Sequence, residues 1–429
     1  MADLKSFNFS KYAKDEKGIS DSELFKSLDD AFSSSIKDLK KVLIIPPDFT
    51  RFHSGAGKIT EYCYNLLKDT CDVDILPALG THVAMTEEEV KEMFGDIPFD
   101  RFIYHNWRTD VVKLGEVPAE FVSEVSEGLV NNSVSVEVNK LLMDKSYDLI
   151  LSVGQVVPHE VVGMANRNKN LFVGCGGSDM INSSHMLGAF YGMERIMGKD
   201  FSPVRKVFDY AEEKFLKDIP LIYILTVTTQ IEGEIFIHGL FVGRERKYFE
   251  EAVKLSQEKN LNFVDEPLKK VVVNLDEKEF KSTWLGNKAI YRTRMAIADG
   301  GELIVLAGGA DKFGEDESID RLIRKYGYCG RKNVLKLCEE NEDLNNNLSA
   351  AAHLIHGSSD DRFSITYCTK YLTKEEVTGV NFGYIPYEEA IKKYDPTKLV
   401  DGFNVLPDGE EIYYISNPAL GLWADKNKF

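Results

Sequence analysis

The chain has 429 residues, 43% of them hydrophobic, with 52 basic and 69 acidic side chains and a net charge of −17. This length allows two domains with sizeable cores, and the acidic balance, without a basic stripe interleaved with aromatics, argues against nucleic acid as a partner. No apolar run reaches eighteen residues, so no membrane span is expected, and the polar opening MADLKSFNFSKYAKDEKG lacks a secretory apolar region.

The first forty residues form a polar lead-in with some helical character. KVLIIPPD (41–48) is a β-branched run closed by prolines and predicts a buried strand ending in a loop. GKITEYCYNLLKD (57–69) has helical spacing, and CDVDILPALGTH (71–82) predicts a second strand ending in Gly80-Thr81-His82. TEEEVKEMFG (86–95), with an acidic first turn and a glycine stop, predicts a capped helix. VNKLLMDKSYD predicts a short helix before the strand LILSVGQVVPH (149–159). The glycine- and asparagine-rich stretch 158–185 is expected to be irregular. A second α/β unit begins near VVVNLDEKEF (271–280). Its predicted elements are a helix over 284–301, the strand ELIVLAGG (302–309), a helix in SIDRLIRKYGY (318–328), a strand at RFSITYCTK (362–370) and the strand-like EIYYI. The alternation predicts an α/β fold of two domains with parallel-type sheets, an N-terminal one over 1–270 and a C-terminal one over 271–400, with 401–429 as a tail packing back on the body.

In doubly wound sheets, ligands sit beyond the carboxyl ends of the strands. Three predicted strand ends carry Asp48 with Arg51, His82 and His159. Histidine suits general acid–base work because its pKa lies near neutral. A single loop histidine is as often a hydrogen-bonded surface group, but two at strand ends of one sheet favour a site. The loop after His159 holds Lys169 and His185; taken alone, such a lysine is usually solvated surface. Gly174-Cys175-Gly176-Gly177 allows close backbone approach to a ligand. It is not a G-x-G-x-x-G fingerprint, so a dinucleotide site is not read there. The glycine-rich turn with Gly55, Gly57 and Lys58 is an anion cradle or a plain capped helix start. It is not a Walker A loop, because Phe52 stands where the first glycine belongs. Six scattered cysteines, none in a CxxC pair, read as reduced thiols of a cytoplasmic protein.

Together these pieces resemble the nickel-dependent lactate racemase family of 2-hydroxy-acid racemases and epimerases. The resemblance rests on Asp48-Phe49-Thr50-Arg51, on Gly80-Thr81-His82 followed by Met85-Thr86, and on Pro158-His159 with Gly163, Lys169 ten residues after His159 and His185 sixteen further on. Asn287-Lys288-Ala289 extends it into the second unit. It implies an active-site cleft between two domains and a nickel-pincer nucleotide, a pyridinium-3-thioamide-5-thiocarboxylate mononucleotide that grips Ni(II). It further implies that Lys169 carries this cofactor through a thioamide, that His185 is the protein ligand to nickel, and that His82 and His159 are the acid–base pair. Arg51 and Lys288 would grip the substrate carboxylate, Asp48 would orient its neighbours, and the Gly55–Lys58 turn would lie against the cofactor phosphate. Cofactor-assembly enzymes are the implied partners.

The chemistry explains this set. The hydrogen at C2 of a hydroxy acid is barely acidic, so simple deprotonation is a poor route; the resemblance implies instead hydride transfer with removal of the hydroxyl proton, through a planar 2-keto acid. Return of hydride to the other face then needs a second histidine on the opposite side. The chain departs from the lactate pattern at Glu160–Asn168, at Leu285 where the lactate enzymes have glutamine, and at Phe52-His53. His356, Ser358 and Arg362 would suit a longer acid such as gluconate if they lie near the cleft; a surface loop feeding a strand is the competing reading. Two other functions are weighed: a nucleotide-dependent 2-hydroxy-acid dehydrogenase, for which the glycine fingerprint is missing, and a non-catalytic two-lobe small-molecule binding protein, which needs neither histidine.

Overall fold

Segments apolar on both faces, such as 149–155, need a sheet covered on both sides. A computed structural model describes residues 4–33, 39–231, 234–419, 421–427 and 429. By compactness the chain divides into Met1–Tyr191 with Arg195–Asn260, and Gly192–Glu194 with Leu261–Phe429.

The first unit runs through β1 (Phe9–Tyr12), α1 (Asp21–Phe32), β2 (Lys41–Ile45), α2 (Ala56–Leu67), β3 (Asp72–Ile75) and α3 (Glu87–Phe94). There follow β4 (Val111–Val117), α4 (Ala119–Val125), β5 (Val134–Asn139), β6 (Leu149–Gln155) and the two-residue strands β7 (Pro158–His159) and β8 (Gly163–Met164). It closes with α5 (Ser178–Tyr191), α6 (Met193–Ile196), α7 (Pro203–Phe215), β9 (Leu221–Ile231), β10 (Glu234–Gly243) and α8 (Arg246–Asn260). The sheet order is β1-β10-β9-β6-β2-β3. β9, β6, β2 and β3 are parallel, whereas β10 and β1 are antiparallel. Alternate residues of β2 feed two cores: Leu43 and Ile45 enter one, Val42 and Ile44 the other.

The second unit contains β11 (Leu261–Val264), β12 (Leu268–Asn274), α9 (Thr283–Gly286), α10 (Lys288–Thr293), β13 (Ile297–Leu306), α11 (Glu317–Tyr326), α12 (Arg331–Glu340), α13 (Glu342–Asn345) and α14 (Leu348–His356). It continues with β14 (Ser364–Cys368), α15 (Lys374–Gly379), β15 (Gly383–Tyr384), α16 (Tyr387–Lys393), β16 (Gly402–Val405), β17 (Glu411–Ile415) and β18 (Leu422–Asp425). Its sheet order is β15-β14-β13-β12-β17-β16, parallel except for β16.

The α/β class and the parallel-type sheets agree with the sequence reading. Thr86 and Glu89 form a reciprocal capping box on α3, as the pattern predicts. Four details differ. Residues 178–185, expected to be irregular, belong to a 14-residue helix; its apolar and polar residues are mixed around the axis, so no amphipathic stripe shows. The helix expected over 284–301 stops at Thr293, and β13 begins at Ile297, before the Gly300-Gly301 pair. The units divide at Asn260 rather than near 270. Residues 401–429 supply β16 and β17 to the second sheet and pair β18 with β11. All six cysteines are free thiols. Among the described residues no helix is long and apolar enough to cross a membrane.

Gly57 shows how closely α2 and α3 pack: a Cβ there would overlap the Met93 carbonyl oxygen. Gly57→Ala is expected to lower unfolding stability by about 2–3 kcal/mol, because backbone rather than a flexible side chain must move. Urea denaturation of the two proteins checks this.

Candidate active site

The site grows from the carboxyl ends of β2, β3 and β6. Pro46 and Pro47 end β2, and a short 3₁₀ segment, Phe49–Ser54, leads into α2. The hydroxyls of Thr226 and Thr228 on β9 donate to the carbonyls of Ser54 and His53 at 2.7 and 3.0 Å and pin this segment. Asp48 is its N-cap residue and is buried. One carboxylate oxygen accepts from the Thr50 hydroxyl at 2.6 Å, and the other from His82 Nδ1 at 2.5 Å. Burial pushes the Asp48 pKa up, but the His82 and Thr50 hydrogen bonds and the charges of His82 and Arg51 outweigh it and hold the carboxyl below its usual range. Asp48 therefore fixes the His82 ring and presents Nε2 outward. Arg51 follows on the same segment.

His159 sits on β7, which pairs with β8 in a tight hairpin. The Val161 N–H donates to its Nδ1 at 3.1 Å. Burial pushes the His159 pKa well below 6.5; the neighbouring Glu160 opposes this, while Lys169, Arg51 and His185 reinforce it.

Lys169 is held from both sides. Before it, Asn166 and Arg167 have φ of +65° and +54°, left-handed conformations that cost L residues roughly 1–2 kcal/mol each. The guanidinium of Arg205, on α7, compensates. It donates to the Met164 carbonyl at 2.6 Å, to the Asn166 carbonyl at 3.2 and 3.3 Å, and to the Asn168 side-chain oxygen. Asp209, on the same helix, accepts from Arg167 at 2.5 Å and from Asn168 at 2.7 Å, and Glu212 accepts from Asn168 at 3.1 Å. Positions 205, 209 and 212 lie on one helical face. After Lys169, a single π-helical turn spans Asn170–Gly174, a form frequent at functional sites. Asn170 donates to the Ile45 carbonyl and the Ser152 hydroxyl at the ends of β2 and β6. The Gly174 carbonyl accepts from the Gly80 N–H at 2.8 Å, tying this turn to the His82 loop.

Burial brings the Lys169 pKa down to about 8, with Arg51 and Arg205 adding to the effect and Glu160 and Asp48 opposing it. A sizeable fraction of this amine is thus unprotonated and nucleophilic near neutral pH. His185 projects from α5 and donates Nδ1–H to the Ile181 carbonyl at 2.6 Å. Its Nε2 keeps a lone pair, the arrangement usual for a metal-binding imidazole. The mutual influence of Arg51, His159, Glu160, Lys169 and His185 places these groups in one site, with Asp48 and His82 beside Arg51.

Residues 8–197 match the sequence profile of the lactate racemase N-terminal domain. A crystal structure of a Thermotoga maritima protein from a structural genomics programme has a TM-score of 0.81 at 23% identity, covering 96% of this chain and 100% of that one. The lactate racemase apoprotein from Thermoanaerobacterium thermosaccharolyticum has a TM-score of 0.68 at 19% identity, covering 90% and 87%. These likenesses establish the fold. No curated protein matches the sequence.

Residues 8–197 contain all the expected site residues except Lys288. Lys288 belongs to the second unit, at the start of α10, where Nζ lies 3.7 Å from a Glu279 oxygen and 5.2 Å from the Phe280 ring centroid. Asn287 before it is fixed by Tyr367 and His353 at 2.7 and 3.3 Å. Gly55 and Gly57 serve packing against Ile237 and Met93, and Lys58 pairs with Asp21 at 2.7 Å. Gly174, Gly176 and Gly177 admit Ala78, Phe172 and Glu137, so the close approach they allow is by the protein itself. Arg362 spends its donors on Glu194, Asp299 and the Arg294 and Ile297 carbonyls, and Ser358 bonds the Ile355 carbonyl. Sequence reasoning missed Arg205, Asp209 and Glu212, whose spacing reads as a solvated helix face.

A cation forced into this site weakens the fold. Lys169→Met is expected to stabilise the cofactor-free chain at pH 7 by about 1–3 kcal/mol. The folded pKa is depressed, so wild-type stability recovers as pH rises from about 8 toward the unfolded value, and the difference between the two proteins closes. Chemical denaturation between pH 7 and 10 checks both the sign and the window.

Proposed function

We propose that this protein is an isomerase that inverts C2 of a small 2-hydroxy acid, with a nickel-pincer nucleotide attached to Lys169. One observation carries the reading: an amine of lowered pKa stands beside two differently buttressed histidines and an imidazole with a free Nε2. The residues fit the group. Lys169 has the nucleophilic amine a thioamide link requires, and His185, with its Nδ1–H held by the Ile181 carbonyl, would offer its Nε2 to the nickel. No cluster of three or more His, Cys, Asp or Glu side chains suited to a metal occurs among the described residues, and this mode of binding needs none.

When bound, the cofactor supplies a reversible hydride acceptor. The chain's own residues do the rest. Arg51 binds and orients the substrate carboxylate, together with Lys288 if the second unit brings it there. His82 Nε2, its ring fixed by Asp48, takes the hydroxyl proton of one enantiomer. The planar 2-keto acid stays held by its carboxylate, and His159 returns a proton to the oxygen on the other face. Cofactor-assembly enzymes are the partners this requires.

Two experiments test the reading. Protein coexpressed with cofactor-assembly enzymes should show a mass adduct that maps to Lys169 and about one nickel per chain; absence of both in a preparation where a known lactate racemase is loaded would rule it out. The loaded protein should then invert one of lactate, malate, 2-hydroxyglutarate, phenyllactate or gluconate, followed by chiral chromatography. His82→Asn and His159→Asn should each lower kcat by about 10²–10⁴-fold while leaving the Lys169 adduct intact. Asp48→Asn should lower kcat more than it raises KM, because it frees the His82 ring without touching substrate.

A further inference from the structure

The two histidines are not equivalent. His82 gives Nδ1–H to Asp48, so its neutral ring has a bare Nε2, ready to accept a proton. At His159 the Val161 N–H points into Nδ1, so the neutral ring carries its proton on Nε2. Such a ring cannot accept at Nε2. Nor can it give that proton to an oxygen at C2, because an imidazolate would remain. Acid–base work at His159 Nε2 needs a second proton on Nδ1, where the Val161 N–H opposes it.

One group beside Nδ1 can resolve this conflict. Glu160 places a carboxylate oxygen 3.7 Å from His159 Nδ1, and its side chain keeps 21% exposure, whereas His159 keeps 8%. A hydrogen bond requires the glutamate side chain to shorten this gap. Lys169 from the clamped segment, Arg51 from the turn after β2 and His185 from α5 push a proton off His159, and Glu160 holds one on. The sequence offers no precedent for this carboxylate, since Glu160 lies in the stretch where the chain departs from the lactate pattern.

We propose that Glu160 is the positioning carboxylate of His159, accepting its Nδ1–H whenever the ring is cationic or carries its single proton on Nδ1. For the catalytic step this rests on the isomerase reading above. In that step, Nε2–H passes to the oxygen at C2 and the N–H bond breaks. The ring is left neutral, its remaining proton on Nδ1 hydrogen-bonded to Glu160; the reverse direction takes a proton back at Nε2. Each histidine then has its own carboxylate, Asp48 permanently and Glu160 only when Nδ1 is protonated.

The test uses the full-length, cofactor-free chain labelled with ¹⁵N-histidine, in a Lys169→Gln background that removes the cation a thioamide link would also remove. Ring ¹⁵N shifts of His159, assigned by their loss in His159→Asn, are followed against pH. With Glu160 intact, the neutral ring should show Nε2–H and gain its second proton on Nδ1. Glu160→Gln should reduce the proton affinity of His159 by about tenfold, one pH unit at the midpoint, and leave His82 unchanged. Glu160→Asp, whose shorter carboxylate reaches less far, should give a smaller shift in the same direction and serves if the glutamine variant does not fold. Equal midpoints in a folded Glu160 variant and its parent would overturn the proposal. The readout involves neither cofactor nor substrate, so failure of the isomerase reading leaves it standing; conversely, a racemising enzyme with equal midpoints removes Glu160 alone.

Discussion

A buried guanidinium holds the segment on which the site depends. Arg205 is fully buried; its two terminal nitrogens donate to two backbone carbonyls and an asparagine side-chain oxygen, the Phe249 ring centroid lies 4.5 Å away, and its Nε has no hydrogen-bond partner. Burial lowers even its pKa, to about 10, despite the nearby charge of Asp209. An uncompensated cation there would be prohibitive. The acceptors it needs come from Met164, Asn166 and Asn168, so the cation and the left-handed backbone of Asn166 and Arg167 stabilise each other. The outcome is a fixed position for Lys169 on the next residue. Gly154 on β6 belongs to the same arrangement, because a side chain there would collide with Asn166.

The electrostatics of the site run against those of the whole molecule. The chain carries a net charge of −17, yet Arg51, Lys169 and Arg205 set a locally positive field in the first unit. Such a field would favour an anionic ligand, and a buried amine within it sheds its proton more readily. Both effects come from one cause, the crowding of cations into a poorly solvated space. His105 shows how a histidine is retired from such chemistry: its Nε2–H goes to the Gly176 carbonyl and its Nδ1 accepts from Asn139, so neither nitrogen is left over.

Several features were legible from local pattern because their causes are local. The strand over Lys41–Ile45, the capped helix at Glu87–Phe94 and the placement of His82 and His159 just past strand ends follow from period, caps and breakers. Helix α5 was not legible, since its apolar and polar residues are mixed around the axis and no polar face reveals its period. The β9–β10 hairpin was left unassigned, so the sheet's antiparallel edge went unseen. The glycines' small size is needed by the protein's own neighbours Met93, Ala78 and Phe172.

The sequence by itself determined which chemistry-bearing residues exist, their order and spacing, and the α/β class that carries strand ends to one edge of a sheet. Those are properties of residue type and of the short-range backbone. Tertiary structure alone decided what each residue is for. It made Asp48 the buried support of His82, in keeping with the expectation that it orients its neighbours, gave the Lys169 amine its lowered pKa, and converted an apparently solvated helix face at Arg205, Asp209 and Glu212 into a clamp. Burial and hydrogen-bond partners set proton affinity and tautomer, and both depend on residues far apart in the chain.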